Sequence, residues 1–296
     1  MSIKPIPFRL VPLAVASMVL IWSAGAAQAA LVLGASSSAS VDGEAVVPNV
    51  TGPSSSYVNS SSDIATLRGT GSGRAFAAGS GAYAVSSSAT GIATGAANAT
   101  FANTFTNETG VEQFYTLNFF IYGGSISTKV FDPLGLGDDQ FLRAGYGASI
   151  KFNGDEVFSS TAELFRNATV TTLDKTGTAL NNGTLSGDVY SWSSAAYSVS
   201  LGLVAAGGTF NILAEVLDYA EADVGVYTLL SGGGFQGAAT AFYGDPLDVD
   251  ASPPPGQFQL IPSVVPEPGS MGLVAGAMGA GLLGMRRRRR DGLGQG

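Results

Sequence analysis

Carboxylates are the only residues of this chain that could readily do chemistry, because it contains no histidine and no cysteine. A glycosidase would need two carboxylates about 5 to 10 Å apart, one of them in an apolar pocket. Glu112, Glu163, Asp188 and Glu215 are available for that role, but the sequence does not place any two of them together. The composition excludes Ser-His-Asp and Cys-His catalysis and most metal-site chemistry. We therefore predict no catalytic residue.

Two acidic clusters form a second group of candidates, because oxygen atoms are the ligands that Ca²⁺ prefers. One cluster contains Asp138 and Asp139, and the other contains Asp245, Asp248 and Asp250. Neither belongs to a twelve-residue loop with alternating acidic ligands. We interpret both clusters as solvated loop carboxylates and predict no metal ion and no other cofactor.

Aromatic residues and asparagines offer weaker signals of function. Tyr190, Trp192 and Tyr197 could stack on sugar rings, but we expect them to pack in the core. Asn-x-Ser/Thr triplets arise in a Ser/Thr-rich chain without any function, so glycosylation is kept here as a hypothesis. These triplets begin at Asn49, Asn59, Asn98, Asn107, Asn167 and Asn182.

The charge of the chain is distributed unevenly. The net charge is −8, from 14 basic and 22 acidic residues. Seven of the basic residues and two of the acidic ones lie before residue 30 or after residue 265, which leaves the segment between with seven against twenty, or near −13. Such a segment disfavours nucleic acid and anionic polymers as partners. Because the chain has no cysteine, its stability must come from packing and hydrogen bonds.

Residues 265–290 combine three features in a fixed order. Val265-Pro266-Glu267-Pro268 is predicted to be extended, because each proline fixes φ and restricts the residue before it. The apolar run from Gly269 to Met285 follows; as a helix it would span about 26 Å, slightly less than a ~30 Å hydrocarbon core. Arg286-Arg287-Arg288-Arg289-Arg290 then forms a positive block, which stays on the cytoplasmic side of a membrane. Everything before residue 266 is therefore expected outside the cytoplasm.

This tail resembles the PEP-CTERM sorting signal, whose V-P-E-P corresponds to Val265-Pro266-Glu267-Pro268. The resemblance covers residues 265–290 and departs from the family pattern only in the short extension after the arginines. It implies that an exosortase-like membrane enzyme, similar to cysteine proteases, cuts near the Pro-Glu-Pro element. The protein would then pass transiently through the inner membrane and be freed or re-anchored at the cell surface or in the extracellular matrix.

The amino terminus predicts export. Lys4 and Arg9 form a charged region, and an apolar run from Leu10 to Ala24 follows. Ala27-Gln28-Ala29 is a small-x-small cleavage site, so residues 1–29 are predicted to be a signal peptide and Ala30 the first residue after cleavage.

The segment between the two ends is long enough for one domain with a real core. Residues 30–97 are dominated by Ser, Gly, Ala and Thr, and we expect only weak strands there, with a loop from Asp42 to Asn59. The β-domain is predicted over residues 98–250. Residues 251–265 are predicted to be a Pro-rich linker of polyproline character, before a sorting signal at residues 266–290.

Alternating apolar and polar residues predict several strands. A hairpin is expected around Gly123-Gly124, and a second strand pair, Tyr190 to Val204 and Thr209 to Leu217, around Gly207-Gly208. Residues 173–188 are predicted to be loop and turn.

A further hairpin is predicted at Asn153-Gly154, because these residues suit the positive φ angles of a type I′ turn. A two-residue loop would pair Lys151 with Glu156, as a cross-strand ion pair, and Ile150 with Val157.

The pattern as a whole predicts an all-β fold, an antiparallel β-sandwich of jelly-roll or Ig-like type, with an N-terminal signal helix and a C-terminal transmembrane helix. The predicted function is that of an exported, non-enzymatic surface or matrix protein associated with exopolysaccharide or biofilm. The alternative is a carbohydrate-binding or carbohydrate-cleaving β-sandwich, which an exposed row of aromatic rings or two converging carboxylates would favour.

Overall fold

The computed structural model describes residues 31–45, 49–54, 57–78, 83–108, 110–229, 232–244 and 258–264. The regular secondary structure of these residues consists of β-strands alone, and every strand pairing is antiparallel. The predicted all-β, antiparallel class is therefore confirmed. The strands are β1 (Val32–Val41), β2 (Glu44–Ala45), β3 (Asn49–Ser54), β4 (Tyr57–Thr66), β5 (Gly69–Ala78), β6 (Tyr83–Thr106), β7 (Gln113–Ile121), β8 (Gly124–Val130), β9 (Phe141–Phe152), β10 (Asp155–Asn167), β11 (Thr171–Gly177), β12 (Thr184–Ser186), β13 (Val189–Trp192), β14 (Ala195–Val204), β15 (Thr209–Asp223), β16 (Val226–Leu229), β17 (Gly232–Phe235), β18 (Gly237–Gly244) and β19 (Phe258–Val264).

The long strand β6 organises the fold, because its two halves pair with different strands. Its N-terminal half pairs with β5 and β18, and its C-terminal half pairs with β1 and β15. The first sheet thus has the order β3-β1-β6-β15-β9-β10-β11, and the second has the order β4-β5-β6-β18-β8-β13-β12. The change falls at Gly91, whose φ of 71° and close approach to the Gly69 backbone both favour glycine.

The two sheets touch backbone to backbone along a line of glycines that we call the glycine seam: Gly71, Gly73 and Gly95. A Cβ atom at Gly73 would lie 2.8 Å from the carbonyl oxygen of Ser38 in the other sheet. One at Gly95 would lie 2.7 Å from the carbonyl oxygen of Ser88. Packed sheets are ordinarily separated by about 10 Å, a gap that larger side chains fill. Here only small residues fit.

Serine hydroxyls also bridge the sheets in this narrow region. Ser37 Oγ of β1 lies 2.7 Å from Ser60 Oγ and 3.0 Å from Ser62 Oγ, both in β4. All three residues are buried, and Ser62 Oγ also donates a hydrogen bond to the Ser37 carbonyl oxygen. Small residues of β1, β4, β5 and β6 therefore form part of the core. The loop expected from Asp42 to Asn59 is wrong over β2, over β3 and over the start of β4.

Aromatic side chains fill the wider part of the interior. The Tyr243 ring makes edge contacts with the rings of Tyr83 and Trp192, at centroid distances of 5.4 and 5.5 Å. The Tyr146 ring lies 4.2 Å from that of Trp192, whose Nε1 donates to the Tyr122 carbonyl oxygen at 3.0 Å. The core thus contains bulky rings near both ends of β6, at Tyr83 and Phe101, and narrows to almost bare backbone in the middle of that strand.

The hairpin predicted at Asn153-Gly154 is confirmed. These residues have φ angles of 52° and 94°, and Lys151 pairs with Glu156 as expected. Beyond that pair the register shifts, because a bulge between Glu156 and Phe158 leaves Ile150 opposite Phe158. The predicted pairing of Ile150 with the residue before Phe158 is therefore wrong.

The expected ion pair across this hairpin is also replaced. Lys151 Nζ lies 3.1 Å from Glu215 Oε2, in the strand on the other side of β9. The hairpin turn sets the register of β9 against β10 only. Lys151 lies in β9, which is the middle one of three strands, and its side chain pairs with a residue of β15 instead.

The strands on either side of Gly123-Gly124 are correct, but the hairpin predicted there is wrong. β7 pairs with β14 and β19 in a separate three-stranded sheet, whereas β8 pairs with β13 and β18. Neither glycine has a positive φ angle. A Cβ at Gly124 would lie 2.9 Å from Cε2 of Trp192, so this glycine makes room for the indole where the chain changes sheet.

The second predicted strand pair likewise consists of real strands that pair with other strands. β14 and β15 flank the predicted Gly207-Gly208 turn but pair with β7 and with β6 and β9, respectively. The loop predicted over residues 173–188 is wrong where residues 173–177 belong to β11 and where residues 184–186 form β12. Residues 258–264 of the predicted linker form β19, and β6 runs across the boundary placed between residues 97 and 98.

Asn107 ties the turn after β14 to the end of β6. Its Nδ2 atom donates to the carbonyl oxygens of Val111, Val204 and Ala205 at 2.8, 2.9 and 3.1 Å. Its backbone NH donates to Gly208, completing the connection. A fully buried amide held in this way fixes how β6, β7 and β14 meet.

Candidate functional site

The residues predicted to direct sorting lie outside the described residues. They are Val265-Pro266-Glu267-Pro268, the arginines at 286–290, and the signal-cleavage residues at 27–30. β19 ends at Val264, so the motif follows it directly in the sequence. Within the described part of the chain, no helix is long and apolar enough to cross a membrane.

The acidic clusters considered for Ca²⁺ do not assemble a site where they can be described. Asp138 and Asp139 are exposed in the connection between β8 and β9. Asp245, Asp248 and Asp250 lie outside the described residues. Among the residues that are described, no group of three or more acidic, His or Cys side chains is placed to hold a metal ion.

Three of the four candidate carboxylates lie on different elements. Glu215 is paired with Lys151 on the outer face of the first sheet. Asp188, in the turn between β12 and β13, has its Oδ2 atom 3.3 Å from Nη1 of Arg166. Glu112 is exposed in the connection between β6 and β7. None of these three meets another of the candidates.

The aromatic residues considered for sugar stacking pack in the interior, as predicted. Tyr190 and Trp192 are 2% and 5% exposed. Tyr197 is half-buried, and its ring stacks on that of Phe119 at 5.8 Å. These rings are therefore unavailable as an exposed sugar platform.

The fourth carboxylate, Glu163, belongs to a group that sequence reasoning missed. This group lies on the outer face of the first sheet, opposite the buried side chains of β9, β10 and β15. It combines aromatic, acidic and basic side chains from the three adjacent strands. We call it the Tyr219 patch, and it consists of Phe141, Arg143, Glu163, Phe165, Tyr219 and Glu221.

Arg143 holds the two carboxylates of the Tyr219 patch. Its Nε atom lies 3.7 Å from Glu163 Oε1, and its Nη1 atom lies 3.2 Å from Glu221 Oε2. The guanidinium carbon is also 5.7 and 5.8 Å from the ring centroids of Phe141 and Phe165. Such contacts fix the orientation of a planar guanidinium, and with it the positions of both carboxylates.

The Tyr219 ring crosses the middle strand of this patch. Strand register places Glu163, Gly145 and Tyr219 in one row across β10, β9 and β15. A Cβ at Gly145 would lie 2.6 Å from Cε1 of Tyr219, so the ring covers the space that any other residue would fill. The Tyr219 hydroxyl reaches the far strand and donates to Glu163 Oε2.

The protonation states of the Tyr219 patch follow from its half-buried position. Burial raises the pKa of Glu221, and nearby Glu163 adds to this, while Arg143 opposes it. Burial and the adjacent Glu163 carboxylate also raise the pKa of Tyr219. The phenol therefore stays protonated and continues to donate its hydrogen bond. The patch offers fixed carboxylate acceptors beside an aromatic ring.

A different acidic group lies between the sheets. Asp218 is 1% exposed, on the inner face of β15, and neither carboxylate oxygen has a hydrogen-bond partner of good geometry among the described residues. Burial raises the pKa of Asp218 well above its usual range, and Ser87 of the opposite sheet offsets this only in part. Burial between the sheets therefore favours the protonated form of Asp218.

The burial of the candidate asparagines limits where a glycan could be attached. Asn107 is fully buried and uses its amide nitrogen in three hydrogen bonds, so the folded protein cannot carry a glycan there. Asn49, Asn59 and Asn182 are exposed.

Comparison of the chain with protein-family models and with curated proteins gave no match. Its function is therefore argued from its own residues.

Proposed function

We propose that this chain is an exported, non-enzymatic cell-surface or extracellular-matrix protein, sorted through a C-terminal PEP-CTERM signal and held beside exopolysaccharide or biofilm. The observation that carries the proposal is the order of features in residues 265–290: Pro-Glu-Pro, an apolar run, then five arginines. This order suits a membrane enzyme that recognises an extended segment just outside the bilayer. The partner is thus an exosortase-like processing enzyme in the inner membrane.

The proposal includes the finer features of the fold. The two sheets that share β6 would form a β-sandwich of jelly-roll or Ig-like type, between a signal helix and a transmembrane helix. An exported chain without cysteine is compatible with the packing described above, in which backbone contacts and buried hydroxyls stabilise the two sheets.

A second candidate function is carbohydrate binding, and the Tyr219 patch is the observation that favours it. Two carboxylates converge on Arg143 beside an aromatic ring. Cleavage is disfavoured, because both carboxylates are engaged by the same guanidinium, which favours the ionised form of each over the protonated acid that cleavage needs.

The sorting motif itself provides the test. Replacing Pro266-Glu267-Pro268 by alanines should leave most of the protein uncut in the membrane fraction of its native host, because the extended recognition element would be lost. Immunoblotting of membrane, surface and medium fractions measures this. The matched control replaces the nearby prolines 253–255 by alanines and should be processed normally. Equal processing of both variants would contradict the proposal.

A further inference from the structure

We propose that the Tyr219 patch is a binding site for a neutral polysaccharide chain. The inference rests on the proposed function, since it names the partner that would hold the protein in an extracellular matrix. Its elements are the ring of Tyr219 over Gly145 and the carboxylates of Glu163 and Glu221, held by Arg143.

An aromatic ring across a glycine gives the sheet a locally flat apolar surface. The register row of Glu163, Gly145 and Tyr219 keeps this ring close to the backbone, with no Cβ between them. Leu217, two residues before Tyr219 on the same strand and face, is 41% exposed and extends the apolar strip along β15. The C–H faces of pyranose rings match such a surface, and an extended strip suits a chain better than a single sugar.

The polar groups at the edges of the ring complement sugar hydroxyls. Glu163 and Glu221 each present a carboxylate whose orientation Arg143 fixes, and each has further lone pairs to accept hydrogen bonds. Hydroxyl groups are donors that can satisfy them. Because Arg143 already orients the acceptors, little side-chain entropy is lost when a ligand binds.

The charge of the surface selects a neutral polymer over an anionic one. The patch carries two carboxylates against one guanidinium. Strand register adds Asp174, opposite Glu163, and Asp223, opposite Phe141. A uronate or sulfated chain would bring like charges into this field, whereas a neutral glucan or mannan would not.

Affinity electrophoresis of the purified full chain in mild detergent tests the proposal. Native gels would contain dextran, laminarin or galactomannan as neutral polymers, and alginate or hyaluronan as anionic ones. We expect retardation by at least one neutral polymer and none by the anionic ones. Tyr219→Ala and, separately, Glu221→Gln should weaken the retardation at least about tenfold, since each removes one recognition element.

The control variant is Tyr57→Ala, which removes a 43% exposed aromatic residue from β4 of the second sheet. It should be retarded like the unchanged chain. If Tyr219→Ala proves unfolded by circular dichroism, Glu221→Gln decides alone. Absence of retardation by every neutral polymer, preference for the anionic polymers, or equal retardation of both patch variants and the unchanged chain would overturn the proposal. The gel assay uses purified protein and does not depend on sorting. A failure of carbohydrate binding can therefore be distinguished from a failure of the proposed sorting function.

Discussion

Replacing Gly73 with alanine is expected to destabilise the protein by about 3 kcal/mol or more, the upper end of what overpacking costs. The added Cβ would overlap the Ala96 carbonyl oxygen and lie 2.8 Å from that of Ser38. Both obstacles are backbone atoms in paired strands, which cannot turn aside as a side chain can. The first and second sheets would have to separate, and the serine hydrogen bonds beside the glycine seam would lengthen with them.

Urea unfolding of the full chain, followed by circular dichroism, measures this effect. The matched control is Gly147→Ala in β9, where the atoms nearest to a Cβ belong to the side chain of Leu217, at 3.2 Å. Because Leu217 is partly exposed and can move, the control should lose less than about 1 kcal/mol. If the two alanine variants unfold at the same urea concentration, the glycine seam is not a tight contact between the sheets.

The second large effect is a loss of stability with rising pH that depends on Asp218. The pKa of this carboxyl is higher in the folded state than in the unfolded chain, because folding buries it without a charged partner. Its contribution is therefore fully present below the unfolded pKa of about 3.9 and is lost as pH rises toward the folded pKa. In that window the free energy of unfolding falls by up to about 1.4 kcal/mol per pH unit from this group alone.

Comparison with Asp218→Asn isolates this contribution, because asparagine has nearly the same shape and does not titrate. Urea midpoints of both proteins would be measured from pH 4 to pH 8. We expect the variant to gain stability relative to the unchanged chain as the pH rises, with the difference smallest at pH 4. Parallel pH profiles would mean that Asp218 is not buried as an acid.

The sequence predicted those features whose signal is local. Asn153-Gly154 prefers positive φ angles in any context, so the turn and the pairing of Lys151 with Glu156 were predicted correctly. The bulge after Glu156 has no such local signal, and the ion-pair partner of Lys151 depends on β15 lying alongside β9. The glycines at 123–124 were misread, since the same dipeptide that permits a tight turn also accommodates the Trp192 ring.

The narrow part of the core was underestimated for a related reason. Hydrophobic periodicity identifies strands whose buried face carries large apolar residues. In β5 the buried positions at 69, 71 and 73 are glycines, and the half-buried positions between them are small hydroxyl residues. Glycine does alternate with Ser and Thr here. This alternation indicates a buried face only if the backbone of a second sheet lies directly against the glycines, as it does at the glycine seam.

The Tyr219 patch could be predicted only in part. Glu163 stood among the candidate carboxylates, but the strand predicted from Thr209 ended at Leu217, whereas β15 continues to Asp223 and carries residues 219 and 221 on the same face as residue 217. The arrangement itself requires that β9 lie between β10 and β15, so that Arg143 and Gly145 meet both neighbours. Residues far apart in the sequence acquire this relation only through sheet order.

We propose that the chain is cut at both ends and that the domain between them is the molecule that acts outside the cell. Intact mass spectrometry of the protein recovered from the surface and medium of its native host tests this claim directly. A species beginning at Ala30 and ending near Pro266 is the predicted result. A species that retains the arginines at 286–290 would contradict it, because the apolar run would then be a permanent anchor and not part of a sorting signal.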